Sequence, residues 1–203
     1  MPGFYADGEY DIAGFIVGVV EQSRLIDGRS IVAGDTLIGL PSAGLHTNGY
    51  SLARRVLFDD HKLSPSEVRP ELGTSLADAL LAPHRSYLKA VRPLLDAGVV
   101  KGLAHITGGG ITENLPRILP EGCGAIIHPG MWSVPPLFTL LQTRGAIPVL
   151  EMFRVFNMGI GLIVACSADR AHDVLILLAG AGEREARIIG QVTSGDRTVR
   201  YSP

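Results

Sequence analysis

The run Asn157-Met-Gly-Ile-Gly-Leu-Ile-Val-Ala-Cys166 constrains this chain more than any other segment. From Met158 onward it is apolar, so it reads as a strand covered on both faces. Shorter strands are expected at about 36–41, 99–106, 123–128, 186–193 and 197–201, and a first one at about 11–21, where Ile12–Val20 is strongly β-branched. Helical spacing falls at about 49–58, from Ser75 to a break at Pro83, and at about 84–96, 112–119, 135–143 and 168–179. Residues 59–74, with Pro65 and Pro70, read as an exposed connection, and 149–154 as a short segment before the buried run. Strands and helices interleave from end to end, which argues an α/β or α+β layered domain. With no repeat and no dividing linker, 1–203 reads as a single domain.

Two connections hold more polar and small residues than a turn needs. The first, SAGLHTNGYSL at 42–52, follows an apolar strand and precedes Leu52, Ala53, Val56 and Leu57 on one helix face. The second, Thr107-Gly-Gly-Gly110, follows Val99–Ile106 and leads to Thr112, Glu113 and Asn114. Strand, glycine-containing loop, helix is a design that lets unpaired backbone N–H groups meet a phosphate or carboxylate. Asn48 is the expected N-cap of the first helix. Arg54 or Arg55 and, in the second unit, Arg117 place a guanidinium shortly after the loop, and Pro116 is tolerable only near a helix start. Each loop alone is equally an ordinary turn with ordinary caps. Neither matches a Walker A or a dinucleotide fingerprint. Because both loops follow strands and open helices, they are expected side by side at one end of the sheet.

The residues singled out for chemistry are His46, Asn48 and Glu151. Those singled out for holding substrate or phosphate are Ser42, Gly44, Gly49, Ser51, Arg54, Thr107, Gly108, Gly109, Gly110, Asn114, Arg117, Arg154 and Asn157. His46 and His105 border loops and suit an acid, a base or a phosphate donor, or equally a structural imidazole. Glu151, Arg154 and Asn157 are either an ion pair and cap or part of the same pocket. The six histidines form no i, i+4 pair and no cluster with acids, so no metal site is expected. G-x-S-x-G is absent, and neither cysteine neighbours a histidine.

A net charge of −2, with basic residues scattered, gives no footprint for nucleic acid or an anionic membrane. No stretch approaches the roughly 18 apolar residues that span a bilayer. Cys123 and Cys166 sit in apolar surroundings and read as buried free thiols of a reducing, cytoplasmic compartment.

The segments MPGFYADGEYDIAGFIVGVVE, DTLIGLPSAGLHTNGYSLARRVL, LLAPHRSYLKAV, HITGGGITENLPRILP and EMFRVFNMGIGLIV occur here in this order. Together they resemble the C-terminal half of the aminoimidazole ribonucleotide synthetase family, the phosphoribosylformylglycinamidine cyclo-ligases, over nearly the whole chain. The resemblance implies a mixed sheet packed by helices on one side. It implies ATP-dependent closure of formylglycinamidine ribonucleotide to the imidazole ring in purine biosynthesis, with the loops meeting phosphates. It also implies a homodimer, and an N-terminal half carrying the ATP and Mg²⁺ sites. That half, which in the family precedes MPG(F/M)Y through a Gly-Gly-Glu-Thr-Ala-Glu stretch, is not in this sequence, and a chain opening almost on a core strand reads as a piece of something longer. Two other readings stay open: another ATP-using enzyme of the superfamily, of the formylglycinamidine synthetase or small-molecule kinase type, and a non-catalytic nucleotide-binding module.

Overall fold

The computed structural model describes Gly8, Tyr10 and residues 12–202. In chain order the elements are β1 (Thr36–Pro41), α1 (Tyr50–Arg54), β2 (Val68–Arg69), β3 (Thr74–Ser75), α2 (Leu76–Leu80), α3 (Leu88–Asp96), β4 (Gly102–His105), α4 (Gly110–Asn114), β5 (Cys123–Ile127), α5 (Pro136–Gly145), α6 (Val149–Val155), β6 (Ile160–Cys166), α7 (Ala171–Gly180), β7 (Arg187–Ser194) and β8 (Val199–Tyr201). Six strands form one sheet in the order β4-β6-β1-β7-β5-β8. Every neighbour is antiparallel except the parallel pair β5 and β8, so the sheet is mixed, as expected.

The buried run is β6, and all seven of its residues are buried. Ile163 and Ala165 face a core shared with Ile111 and Leu115 of the α4 region. Leu162, Val164 and Cys166 face the other way, onto Ala90, Val91 and Leu94 of α3 and Val174 and Leu178 of α7. Helices therefore pack on both faces, not on one: a strand with no polar face leaves neither side fit for water. A third core gathers α1, α2, α5 and α6 around Phe138, Met152 and Phe156. Both cysteines are free and buried, and burial pushes the Cys166 thiol up to about 11.

Several local expectations change. The first strand does not form: residue 11 lies outside the described residues, and 12–21 belong to no regular element. Phe15 and Val19 are 94% and 102% exposed. The β-branched pattern is present, but a strand exists only where another strand takes up its backbone groups. The helix expected at 84–96 begins only at Leu88, and 149–154 is the helix α6. The helix expected at 112–119 starts earlier, at Gly110, and turns into a 3-10 turn over Leu115–Ile118. Pro116 thus closes the α-helix instead of opening it, because it has no N–H to continue the ladder. The connection 59–74 is polar but not featureless, since β2 and β3 pair within it and its neighbour Ser75.

Candidate functional site

β1 and β4 both run antiparallel to β6, and Leu162 pairs with Leu40 on one side and His105 on the other. The two strands therefore point the same way and deliver their loops to the same sheet end. Residues 42–49 and 107–110 lie side by side there, and a Cβ built on Gly108 would come 3.1 Å from Asn48 Oδ1.

Two buried amides stitch this end together. Asn157 Oδ1 accepts from Ser42 Oγ at 2.9 Å and from the Gly159 N–H at 2.8 Å, and its Nδ2 donates to the Gly44 carbonyl at 2.8 Å. Asn114 does the same for the glycine loop: Thr107 Oγ1 donates to its Oδ1 at 3.2 Å, while its Nδ2 donates to the carbonyls of Gly108 and Gly110 at 3.1 and 2.8 Å. Both amides are spent on shaping the loops, which pre-organises the backbone for whatever meets it.

The caps differ from the sequence reading. Gly49, at φ 76°, is the N-cap of α1, and Asn48 instead turns back to donate from Nδ2 to the His46 carbonyl at 2.7 Å. The second helix is capped by Gly109, at φ 96°. α1 passes into a π-helical stretch over Arg55–Asp60 and α4 into a 3-10 turn over Leu115–Ile118, so neither is a long uniform α-helix, and an anion here would be held chiefly by loop N–H groups and side chains. Gly110 has a packing role: a Cβ on it would overlap the Phe153 carbonyl.

His46 and Thr47 hold φ of 53° and 62° in succession. Left-handed backbone at two adjacent non-glycine residues, one of them β-branched, costs about 1–3 kcal/mol each and concentrates at ligand-binding loops. The His46 ring is 2% exposed, and its Nε2 accepts the Ala43 N–H at 2.9 Å. That bond puts its proton on Nδ1, a buried atom with no hydrogen-bond partner among the described residues. Burial, helped by His84, His105 and Arg85, lowers its pKa to about 4. A neutral, enclosed His46 is fit to hold the loop and to donate through Nδ1, not to pass protons to solvent.

Beside it stand residues that sequence reasoning did not single out as site residues, His84 and Tyr87. The His84 ring stacks on His46 with centroids 4.1 Å apart, and its Nε2 lies 3.0 Å from His105 Nε2. Tyr87 Oη and Arg85 Nη1 both donate to the Pro41 carbonyl, at 2.8 and 3.0 Å. The register slips between Leu40 and Pro41, and Gly161 faces Tyr87 and His46 so closely that a Cβ would overlap the hydroxyl. The signal was present in Pro83-His-Arg-Ser-Tyr87, a dense polar cluster just after a helix break.

On the rim, Arg154 bridges Glu113 at 3.6 Å and Glu151 at 3.8 Å, with Glu113 packed beside Gly109. Glu151 and Arg154 thus flank the second loop. Ser51 and Arg54 are exposed on α1 just past the first. Arg117 is elsewhere. It lines a hollow of about 390 Å³ with Asp27, Gly28, Arg29, Glu121 and Arg197, near Gly102 where β4 begins. The 3-10 turn carries it back along the sheet, away from the loop mouth, so its expected place beside the glycine loop is corrected.

The chain resembles solved structures at low sequence identity. HypE from E. coli superposes with a TM-score of 0.56 at 20% identity, over 87% of this chain and 48% of that one. A thiamine-monophosphate kinase from Stenotrophomonas maltophilia does so at 0.53 and 15%, over 90% of this chain and 54% of that one. Those likenesses speak for the fold. Relatives by sequence are nearer: phosphoribosylformylglycinamidine cyclo-ligases from Geobacter sulfurreducens and Geobacillus thermodenitrificans are each 51% identical, over 95% and 96% of this chain. The chain spans 55% and 56% of those proteins, about half their length. The family described as AIR synthase related protein, C-terminal domain, matches residues 32–202. By that match, over more than four fifths of its length, the chain belongs to the AIR synthase related family and carries its C-terminal domain.

Proposed function

We propose that this chain is the substrate- and phosphate-holding half of an ATP-dependent cyclo-ligase that closes formylglycinamidine ribonucleotide to aminoimidazole ribonucleotide in purine biosynthesis. One observation carries the reading most: the two polar loops converge at one sheet end, braced by Asn157 and Asn114 and strained at His46 and Thr47. Half-length identity near 51% to proteins named as cyclo-ligases supports the choice of reaction.

Within this reading the backbone of 42–49 and 107–110 receives the anionic part of the substrate. Ser51, Arg54 and Arg154 are the polar groups within reach of an incoming phosphate, and His105, exposed at the mouth, contacts substrate more readily than the enclosed His46. Asn48 holds the first loop closed through the His46 carbonyl. Glu151 acts through Arg154, fixing the guanidinium at the rim.

The mouth does not fit a magnesium–nucleotide complex. Mg²⁺ takes oxygen ligands, chiefly carboxylates and phosphates. Here the near carboxylates, Glu113 and Glu151, are both turned to Arg154, and the only group of three possible metal ligands among the described residues is three histidines. ATP and Mg²⁺ therefore fit the other half rather than this mouth. The exposed apolar residues of 13–20 suit contact with that half and a homodimeric whole. Among the described residues no helix is long and apolar enough to cross a membrane.

The test is ATP- and substrate-dependent ring closure by the chain alone, then by the chain mixed with a separately made N-terminal half. No turnover alone and recovery on mixing are expected. Turnover by the chain alone would refute the assignment.

A further inference from the structure

We propose that His84 and His105 form a binding site for a divalent transition-metal ion of the zinc, nickel or cobalt class, at the mouth between the two loops. The site does not rest on the cyclo-ligase reading, although it shares His105 with the substrate mouth, and it is separate from any Mg²⁺ that travels with a nucleotide. Its two Nε2 atoms lie 3.0 Å apart, both rings are exposed, and a nitrogen of each of His46, His84 and His105 lies within 4.8 Å of the others. Two nitrogens bound to one tetrahedral ion at 2.0–2.1 Å sit about 3.4 Å apart, so the pair needs to open by only a few tenths of an ångström.

The tautomers follow from the neighbours. Thr47 Oγ1 gives its one hydrogen to the His46 carbonyl at 2.6 Å. Toward His84 Nδ1, at 3.5 Å, it can therefore only accept. That contact is long, so it orients the ring more than it holds it, but it favours the proton on Nδ1 and a lone pair on Nε2. A hydrogen-bonded second nitrogen is the usual outer support of a ligating histidine. Without metal, His105 donates its Nε2–H to that lone pair. When metal enters, the proton moves to His105 Nδ1 by way of solvent, and two neutral imidazoles bind with no net proton change. His46 stays out of the coordination, because the Ala43 N–H occupies its Nε2 and its Nδ1 carries the hydrogen. It serves as the buried platform against which His84 stacks.

Imidazole ligands select this class of ion over Mg²⁺ and Ca²⁺. Two imidazoles leave the remaining positions to water or to an oxygen of an anionic ligand in the mouth. Occupation would also tie β4 to the segment before α3, across the opening.

Calorimetric titration of the chelator-treated chain with Zn²⁺ is the test, alongside His84→Ala, His105→Ala and the distant, exposed control His172→Ala. One Zn²⁺ per chain is expected, with affinity at least about tenfold weaker in each site variant and unchanged in the control. Imidazole ¹H–¹⁵N spectra of the unmutated chain provide a readout that does not depend on the variants folding. Zn²⁺ should shift Nε2 of His84 and His105, and not the nitrogens of His128 or His172. No saturable binding up to millimolar Zn²⁺, unchanged affinity in either site variant, or shifts confined to other histidines would overturn the proposal.

Discussion

Removing the Asn157 amide should destabilise the chain out of proportion to the atoms removed. The side chain is 2% exposed and makes three hydrogen bonds across 113 to 115 residues of sequence or within its own turn. In Asn157→Ala the Gly159 N–H is left buried and unpaired, at a cost of about 2 kcal/mol within a usual range of 1–3. The Gly44 carbonyl is half-buried and can reach water, so its loss is smaller, about 0.5–1 kcal/mol. Ser42 Oγ rotates to solvent at little cost. A net loss of about 3 kcal/mol is expected in urea unfolding of the chain. Asn157→Asp separates the contributions: a carboxylate oxygen still accepts from Gly159 and Ser42, but the donor to Gly44 is gone and a charge faces its carbonyl. Asp should therefore keep slow hydrogen exchange at the Gly159 amide while Ala loses it. An Asn157→Ala chain within about 0.5 kcal/mol of the parent, the usual effect of a surface change, would refute the bracing role.

Gly110→Ala should cost about 3 kcal/mol, because φ is 57° and the new Cβ would meet backbone at the Phe153 carbonyl, while Gly130→Ala, with open space around it, should stay within about 0.5 kcal/mol in the same melts. Cys166 is fully buried, and its thiol is raised from 9 to about 11 by burial and then by Asp35. Its folded pKa lies above its unfolded value, so the contribution is complete below pH 9 and is lost as pH rises through about 11, amounting to about 2 kcal/mol. Urea unfolding from pH 8 to 11 measures it. At pH 8 the native thiol should also resist alkylation, read residue by residue by mass spectrometry.

The sheet was legible because its signals are local. The nine-residue apolar run from Met158 to Cys166 can be little but a central strand, and β1 falls at Thr36–Pro41 as expected. What sequence could not show is pairing. Residues 13–21 have the composition of a strand but lie in no strand, because strandhood depends on a neighbour and not only on β-branched side chains. Pro116 is the same lesson at a helix: its missing N–H suggests a helix start in the sequence, whereas it lies at the α-helix's end. The two-sided packing of β6 followed from its own composition, whereas the one-sided arrangement came from the resemblance.

The candidate site divides along the same line. Loop residues 42–49 and 107–110 were found because strand, glycine and helix are contiguous in sequence, and their meeting follows from β1 and β4 both pairing with β6. Arg117 lies away from the loop because nearness in sequence does not decide where a helical turn carries a residue. The histidines show the reverse. His46, His84 and His105 are separated by 38 and 21 residues, so no spacing rule could join them. They meet because the register slip at Pro41 and the absent Cβ of Gly161 open room at one point for Tyr87 and His46, and Tyr87 brings His84 with it. Small residues in the most buried strand thus decide which polar residues reach the mouth. Gly161 is as much a determinant of the site as any side chain that lines it.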